Sequence, residues 1–239
     1  LPKELLNLVK QREKYRQAKG ELFRAARNIH IINADDEHAE YFLKFLSKQK
    51  FCYSLNNNLK IKSLKIENYK FIKAIDVSAS SSGINFKVEN TAFYLHLLGE
   101  FNIYNALAAM AAAKSQGIGL EVCKEALEAF KGVPGRMEIA VSNPFKVFVD
   151  YALTPNALQK VYETLAPKPS TLNPKLICVL GSCGGGRDKW KRPIMGQTAA
   201  KYCQKIVITN EDSYPGDDPL EIVKDIEVCI QDTKCQILD

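Results

Sequence analysis

The stretch that most constrains the fold is residues 176–196, where an apolar run leads into a glycine-rich loop and then into a charged, helix-like segment. The apolar run ends at residue 180, and glycines follow at positions 181, 184, 185 and 186. In α/β folds, a buried strand followed by a permissive turn and a helix exposes backbone N–H groups at the carboxyl edge of the sheet. We therefore expect a functional site at this loop.

Two familiar glycine motifs do not fit this loop. A Walker A loop needs Lys and then Ser or Thr after its last glycine, but Arg187 and Asp188 stand there instead. The spacing of Gly181, Gly184 and Gly186 does not match the dinucleotide fingerprint either. What remains is a charged group suited to holding an anion: Arg187, Asp188, Lys189, Lys191 and Arg192. The alternative at this point is a solvated, charged helix start.

Composition narrows the class of protein. With 239 residues and 46% apolar residues, the chain is long enough for one or two domains with proper cores. No apolar run reaches the length of about 18 residues that a membrane span needs, and the charged residues 1–20 do not resemble a secretory signal. We therefore expect a cytoplasmic protein without a membrane partner.

Metal and nucleic-acid classes are also disfavoured. The seven cysteines are scattered without a CxxC pair, which favours reduced thiols over a zinc site, and the three histidines lie far apart. The net charge of +6 fits a protein that handles anionic small molecules. Because the basic residues alternate with acids and no nucleic-acid-binding motif is present, we expect no nucleic-acid partner.

The first half of the chain predicts an α/β domain with antiparallel strands. Helical spacing of apolar residues predicts an amphipathic helix over 3–27, and a short strand follows at 29–33. Residues 34–36 are expected to cap a helix that runs to about residue 48. Alternating patterns between 51 and 96 predict antiparallel strands and hairpins. The strands are expected at 60–66, 69–78, 84–88 and 92–97, and helices at 105–116 and 120–130.

The second half predicts a doubly wound parallel sheet. Residues 132–135 form the best candidate linker, and beyond them strands alternate with helices. The strands are expected at 145–150, 176–180 and 205–209, and the helices at 154–165, 197–203 and 219–231. Asp150, the loop 181–189 and residues 210–214 then follow successive strands. Because carboxyl ends of parallel strands share one edge, we expect these polar groups to meet in one crevice.

Six segments, taken in order, resemble one family. They are YRQAKGELF at 15–23, IINADDE at 31–37, LLGEFNIYNALAA at 97–109, GRMEI at 135–139, VDYALTP at 149–155 and GGGRDKWKRPIMG at 184–196. Together they resemble the Mur ligases, most closely those that add the third amino acid to UDP-N-acetylmuramoyl-L-alanyl-D-glutamate in peptidoglycan precursor synthesis. The resemblance implies that residues 1–134 are part of the central ATP-binding domain. It implies that residues 135–239 are an incomplete, Rossmann-like, amino-acid-binding C-terminal domain.

The resemblance implies an ATP-dependent amide ligation. A substrate carboxylate is phosphorylated to an acyl phosphate, an amino group attacks it and phosphate leaves, while Mg²⁺ and cationic side chains neutralise the phosphoryl oxygens. Periodicity alone would let Lys19 simply extend its ammonium group to solvent. The matching lysine of the family is carbamylated and helps to position a second Mg²⁺. A carbamate is a hard oxygen ligand that suits this ion.

The resemblance also implies ATP contacts. Asn102 and Asn105 match the FNxxN segment, in which an asparagine meets adenine, although Asn102 can alternatively cap the helix. Arg136 matches an arginine that reaches the ATP phosphates. Asp150 matches a strand-end carboxylate that accepts hydrogen bonds from ribose hydroxyls. The chain departs from the family at Leu153, where His is usual.

The resemblance also implies that the glycine loop binds the incoming amino acid. Arg187, with Asp188 beside it, matches the arginine that binds the carboxylate of the incoming amino acid. The segment after the next strand is Glu211-Asp212-Ser213-Tyr214, where enzymes using meso-diaminopimelate typically have Asp-Asn-Pro-Arg. Two acids and a tyrosine, Glu211, Asp212 and Tyr214, favour a cationic side-chain end. The sequence therefore predicts L-lysine, or a similar diamine, over diaminopimelate.

The resemblance further implies parts that this sequence does not show. The Walker A loop, the uridine-nucleotide domain and a Mg²⁺-binding glutamate are expected upstream, and the end of the amino-acid domain downstream. We therefore expect the 239-residue chain alone to be inactive. We also expect the full-length enzyme to be a monomer. Two alternatives stay open. One is a ligase like folylpolyglutamate synthase, and the other is a degenerate, non-catalytic binding module.

Overall fold

The computed structural model describes residues 3–56, 68–166, 176–183, 189–209, 218–228, 230 and 236–238. The chain divides into two compact units, Leu1–Lys131 and Gly132–Asp239. We call them the first and the second unit and describe each by itself. None of the described helices combines the length and the apolar character needed to span a bilayer.

The first unit is a five-stranded sheet with helices. Its helices are α1 (Lys3–Ala25), α2 (Ala39–Leu43), α3 (Phe101–Ser115) and α4 (Leu120–Ala129), and its strands are β1 (Ile29–Asn33), β2 (Gln49–Ser54), β3 (Tyr69–Ala79), β4 (Ile84–Val88) and β5 (Thr91–Leu95). The spatial order is β1-β2-β3-β4-β5. Helical spacing of the residues buried on α3 explains how this helix covers the core: Ile103, Ala106, Leu107, Met110 and Ala111.

The direction of pairing changes along β3. Its first half runs parallel to β2, with Lys50 opposite Tyr69, whereas its second half runs antiparallel to β4, with Ala79 opposite Ile84. The prediction of antiparallel strands is confirmed for β3–β4–β5. Strand β2 was not among the predicted strands, and it pairs parallel with β3. Alternation predicts a strand but not its direction, which explains the difference. The strand predicted at 60–66 lies outside the described residues.

A buried histidine, His30, caps the C-terminal end of α1, the helix that carries Lys19. His30 Nε2 donates to the carbonyl oxygens of Phe23 at 2.9 Å and Ala26 at 2.6 Å, at the end of α1. The last carbonyl groups of a helix lack partners within it, so this contact satisfies the carbonyl of Phe23 in the last turn and that of Ala26 just beyond it. The contact ties the end of α1 to β1.

The second unit contains a parallel sheet and a separate hairpin. Its helices are α5 (Pro155–Leu165), α6 (Lys191–Tyr202) and α7 (Pro219–Glu227), and its strands are β6 (Glu138–Val141), β7 (Val147–Val149), β8 (Ile177–Leu180), β9 (Lys205–Ile208) and β10 (Gln236–Leu238). Strands β10, β9 and β8 pair in parallel in that order. Thr154 caps α5 and Asp218 caps α7 through their side-chain oxygens. The α/β class and the parallel sheet are confirmed.

The hairpin corrects one prediction. β7 pairs antiparallel with β6, with Glu138 opposite Val149, and the two form a sheet of their own. The prediction that residues 145–150 join the parallel sheet is therefore wrong, and Asp150 does not follow a strand of that sheet. β6 was missed because its four residues are all exposed and give no buried alternation.

Close helix packing in the second unit depends on Gly196. A Cβ atom added there would overlap the backbone oxygen of Ile226 on α7 and lie 3.0 Å from the carbonyl carbon. Replacing Gly by Ala within a helix ordinarily gains up to about 1 kcal/mol. Here the backbone cannot rotate away as a side chain can, and overpacking costs about 1–3 kcal/mol or more.

We expect Gly196→Ala to lower the free energy of unfolding by about 2 kcal/mol, the balance of these effects. Urea unfolding of the 239-residue chain, followed by the fluorescence of its single tryptophan, Trp190, reports on this unit. Gln197→Ala is the control, because Gln197 is the exposed neighbour of Gly196 on α6 and its replacement leaves the packing against α7 unchanged. A Gly196→Ala chain as stable as the parent would contradict the assigned packing of α6 on α7.

Candidate functional site

Lys19 lies on the exposed side of α1. Its Nζ is 5.4 Å from the centre of the Tyr15 ring, one turn earlier in the helix. Gly20 is buried, and a Cβ atom there would come within 2.5 Å of the Tyr41 hydroxyl, so this side of α1 packs against α2. Among the described side chains, no carboxylate lies within salt-bridge distance of Lys19. The amine is therefore accessible, and its carbamylation stays a prediction.

The two asparagines of the FNxxN segment are linked on the first turns of α3. Asn102 Nδ2 donates to the Leu98 carbonyl at 2.7 Å, and Asn105 Nδ2 donates to Asn102 Oδ1 at 3.0 Å. The N-cap of α3 is Glu100, so the alternative that Asn102 caps the helix is wrong. Within the described part of the chain, Asn105 Oδ1 has no hydrogen-bond partner. The exposed Asn105 can therefore accept a hydrogen bond from a ligand.

Asp35 is the centre of a hydrogen-bond cluster that sequence reasoning missed. Its Oδ1 accepts from the Ser54 hydroxyl at 2.6 Å. Its Oδ2 accepts from the Leu55 N–H at 2.8 Å, the Asn56 N–H at 3.3 Å and the Tyr104 hydroxyl at 3.0 Å. β1 and β2 are parallel, so the residues after them meet at one edge of the sheet. Asp35 thus joins the ends of β1 and β2 to α3.

The sequence signal at Asp35 was misread. Consecutive acids after a strand predicted a helix cap, but the N-cap residue of α2 is His38, and α2 is only Ala39–Leu43. Burial, and then the hydrogen bond to Asp35, raise the pKa of the Tyr104 hydroxyl above its usual value. The raised pKa favours the protonated hydroxyl in the folded chain. The contact is therefore complete below the unfolded phenol pKa of about 10 and is lost only as pH rises through the higher folded pKa.

The hairpin brings together two predicted ATP-binding residues of the second unit. Pairing of β6 with β7 places Met137 beside Asp150, and the Met137 N–H donates to Asp150 Oδ2 at 2.8 Å. Arg136 donates to the Tyr151 carbonyl at 3.2 Å, and its guanidinium carbon lies 4.6 Å from the centre of the Tyr151 ring. Arg136 and Tyr151 are exposed.

Across the described ranges, the β6–β7 hairpin carries both a free hydrogen-bond acceptor and free hydrogen-bond donors. No hydrogen bond to Asp150 Oδ1 comes from any residue that the structure describes, so that oxygen can accept one from a hydroxyl group. The exposed Arg136 retains N–H groups for an anion, because a guanidinium carries five donors. This donor and acceptor set fits a ribose and a phosphate. The roles of Arg136 and Asp150 stay predictions.

The predicted amino-acid-binding residues belong to the glycine loop and to the segment after β9. Arg187, Asp188, Glu211, Asp212 and Tyr214 all lie outside the described residues. The flanks of the glycine loop are described. Ser182, just after β8, is 1% exposed, and its hydroxyl has no hydrogen-bond partner among the described residues. The roles predicted for these five residues therefore stay predictions.

The charged segment after the loop enters the helix earlier than predicted, since α6 begins at Lys191. Arg192 is 1% exposed, and its guanidinium donates to Asp225 on α7 at 2.8 Å and to the Cys183 carbonyl at 3.3 Å. Lys189, by contrast, is exposed and donates to Glu221 at 2.7 Å, which raises the Lys189 pKa. The alternative interpretation, a solvated and charged helix start, is correct for Lys189 and wrong for Arg192.

Metal ligands are sparse in what the structure describes. Within residues 3–56, 68–166 and the later described ranges, no three His, Cys, Asp or Glu side chains are close enough to hold a metal ion. A Mg²⁺ ion beside Lys19 would therefore need a modified Lys19 together with oxygen ligands from elsewhere in the protein.

Comparison with known proteins matches both units. Residues 5–113 match the Mur ligase middle domain, and residues 135–238 match the Mur ligase glutamate ligase domain. The chain is 35% identical over 225 residues to the UDP-N-acetylmuramoyl-L-alanyl-D-glutamate–2,6-diaminopimelate ligase of Halalkalibacterium halodurans, covering 90% of this chain and 43% of that protein. It is 37% identical over 230 residues to ligase 1 of the same name in Clostridium acetobutylicum, covering 95% and 45%.

A solved structure agrees with the sequence matches. The structure of a UDP-N-acetylmuramoyl-L-alanyl-D-glutamate–2,6-diaminopimelate ligase superimposes with a TM-score of 0.52 at 30% identity, covering 95% of this chain and 46% of that one. Two consecutive α/β units, matched in this order, define a ligase-type, multidomain class of protein. The chain belongs to the Mur ligase family, as the six segments predicted. It spans less than half the length of these relatives.

Proposed function

We propose that the whole protein is an ATP-dependent amide ligase that adds a diamino acid to UDP-N-acetylmuramoyl-L-alanyl-D-glutamate. The observation that carries the proposal is identity of 35–37% across both units to relatives named for that substrate. The polar groups left available in each unit support it: the Asn105 amide oxygen in the first, and Arg136 with Asp150 in the second.

The proposed reaction has two steps. The terminal phosphoryl group of ATP passes to the substrate carboxylate, which gives an acyl phosphate and ADP. The amino group of the incoming amino acid then attacks the acyl carbon, and inorganic phosphate leaves as the amide forms. Such chemistry depends mainly on fixed charges that neutralise phosphoryl oxygens.

Residues of this chain have distinct roles in the proposal. Asn102 and Asn105 meet the adenine edge, Asp150 Oδ1 accepts from the ribose, and Arg136 pairs with the phosphates. Lys19, as a carbamate, would help to hold Mg²⁺ through its oxygen atoms. When bound, Mg²⁺ would supply further positive charge at the transferred phosphoryl group.

The amino acid is the finer part of the proposal. Arg187 and Asp188 hold its carboxylate and amino end, and residues 211–214, with two acids and a tyrosine, favour the ammonium end of L-lysine. The two relatives described above are named for 2,6-diaminopimelate, which is the competing substrate. No arginine stands at 211–214 to pair with its distal carboxylate.

An assay with the whole protein tests both parts. ATP, Mg²⁺ and the UDP-linked dipeptide are supplied with lysine, ornithine or meso-diaminopimelate in turn, and products are identified by mass spectrometry and phosphate release. We expect the lysine adduct to form fastest. Preference for diaminopimelate would overturn the interpretation of residues 211–214 while leaving the ligase in place.

Controls separate the remaining alternatives. Folate with glutamate as substrates would reveal a ligase like folylpolyglutamate synthase. No amino-acid-dependent phosphate release with any substrate would favour a non-catalytic module. The 239-residue chain alone spans less than half of its relatives and is expected to show no turnover.

A further inference from the structure

We propose that Asp35 and Tyr104 are positioning residues for the nucleotide base: their hydrogen bond fixes the first turns of α3, which carry Asn102 and Asn105. The inference rests on the proposed ATP-binding function. It adds two residues that act through the asparagines and do not themselves touch ATP.

The geometry at Asp35 supports a structural clamp. Both carboxylate oxygens are occupied by protein donors, with the Ser54 hydroxyl on Oδ1 and two backbone N–H groups and the Tyr104 hydroxyl on Oδ2. Because these donors already surround the carboxylate, its role is to hold chain segments together. The segments are the ends of β1 and β2 and the start of α3.

The start of α3 needs such a clamp. Its N-cap residue, Glu100, makes no side-chain capping bond, and unsatisfied N–H groups leave a helix start prone to fraying. Asn102 is held through its own bond to the Leu98 carbonyl, but that bond lies within the same local segment. Tyr104 provides the bond from these turns to the sheet edge.

The position of Tyr104 in the sequence makes the coupling direct. It lies between Asn102 and Asn105, and Asn105 is itself bonded to Asn102. A shift of the first turns would therefore move the whole amide pair. A misplacement of this kind weakens contacts to an aligned ligand without abolishing the fold. The deeper residues Ile103 and Leu107 are fully buried and keep α3 attached to the core.

Nucleotide selectivity in the whole protein tests the inference. The dissociation constants of ATP and GTP, each with Mg²⁺, are measured by calorimetry for the wild type and for Tyr104→Phe, which removes only the hydroxyl. Loss of one such hydrogen bond is expected to reduce the preference for ATP over GTP by on the order of 5-fold. Asp35→Ala is expected to reduce it as much or more, and adding Tyr104→Phe to it should have no further effect on the preference.

A matched control comes from the same unit. The Tyr94 hydroxyl donates to the Ser82 carbonyl at 2.9 Å, so Tyr94→Phe removes a similar bond on β5. It is expected to leave the ATP preference unchanged. If Tyr104→Phe weakens the binding of ATP and GTP equally, or weakens neither, the preference for ATP is unchanged and the positioning role is overturned. A wild type without ATP preference would instead overturn the proposed adenine contact, and this proposal with it.

Discussion

Asp225→Ala is expected to lower the free energy of unfolding of the second unit by about 3 kcal/mol, because it leaves a buried guanidinium without its anion. Arg192 is 1% exposed, and among the described residues its remaining hydrogen bond is the one to the Cys183 carbonyl. In the described part of the chain, its Nε already has no hydrogen-bond partner. A buried cation in this state has neither water nor a counter-charge to stabilise it.

Replacing Arg192, the other partner of the ion pair, is expected to lower the free energy of unfolding by less. The Asp225 side chain is 33% exposed, so water can solvate it when its partner is removed. Arg192→Met fills a similar volume with an apolar side chain and should cost about 1 kcal/mol. The double variant should be more stable than Asp225→Ala alone, since no buried charge then remains.

Urea unfolding of the 239-residue chain, followed by Trp190 fluorescence, measures the three variants. Glu221→Ala is the matched control, because Glu221 lies one turn before Asp225 on α7 and pairs with the exposed Lys189. Exposed ion pairs contribute little, so this control should unfold almost as the parent does. A larger loss for Arg192→Met than for Asp225→Ala would contradict the assigned asymmetry of the pair.

Arg192 also shows where sequence reasoning about the fold succeeds and where it fails. The apolar run before the glycine loop predicted β8, and helical spacing predicted most of α3 and α5, since periodicity follows directly from burial. The pattern of charged residues did not predict in the same way which of them is buried. A cluster of basic residues is usually solvated, yet one of them is buried by a helix 33 residues later in the chain.

The candidate site likewise contains residues that the sequence identified and a contact that it did not predict. Resemblance predicts ATP-binding roles for Asn102, Asn105, Arg136 and Asp150, and these roles stay predictions. Local pairing of β6 with β7 brings the segments of the last two together. The contact of Asp35 with Tyr104 spans 69 residues of sequence. Spacing rules describe neighbours within one helix or strand, so a contact created by the order of strands and helices in space escapes them.

Lys19→Arg is expected to reduce ligase activity of the whole protein by about 10²–10³-fold, the loss typical of a removed group that stabilises developing charge. A lysine amine can take up carbon dioxide and become a carbamate, which is an anion and an oxygen ligand. Arginine keeps its positive charge and cannot make this change at neutral pH, so it would repel Mg²⁺. The substitution therefore separates the need for positive charge from the need for a carbamate.

Stability should not change, because Lys19 is exposed and no described carboxylate pairs with it. Lys14→Arg, at another exposed position of α1, is the control and is expected to keep full activity. Lys19→Ala should regain part of its activity when a short carboxylic acid such as acetate is added, because the acid can supply the missing oxygen ligand. Wild-type activity should also fall when bicarbonate is removed. Full activity of Lys19→Arg would show that no carbamate is needed, and Lys19 would then be an ordinary solvated lysine on the surface of α1.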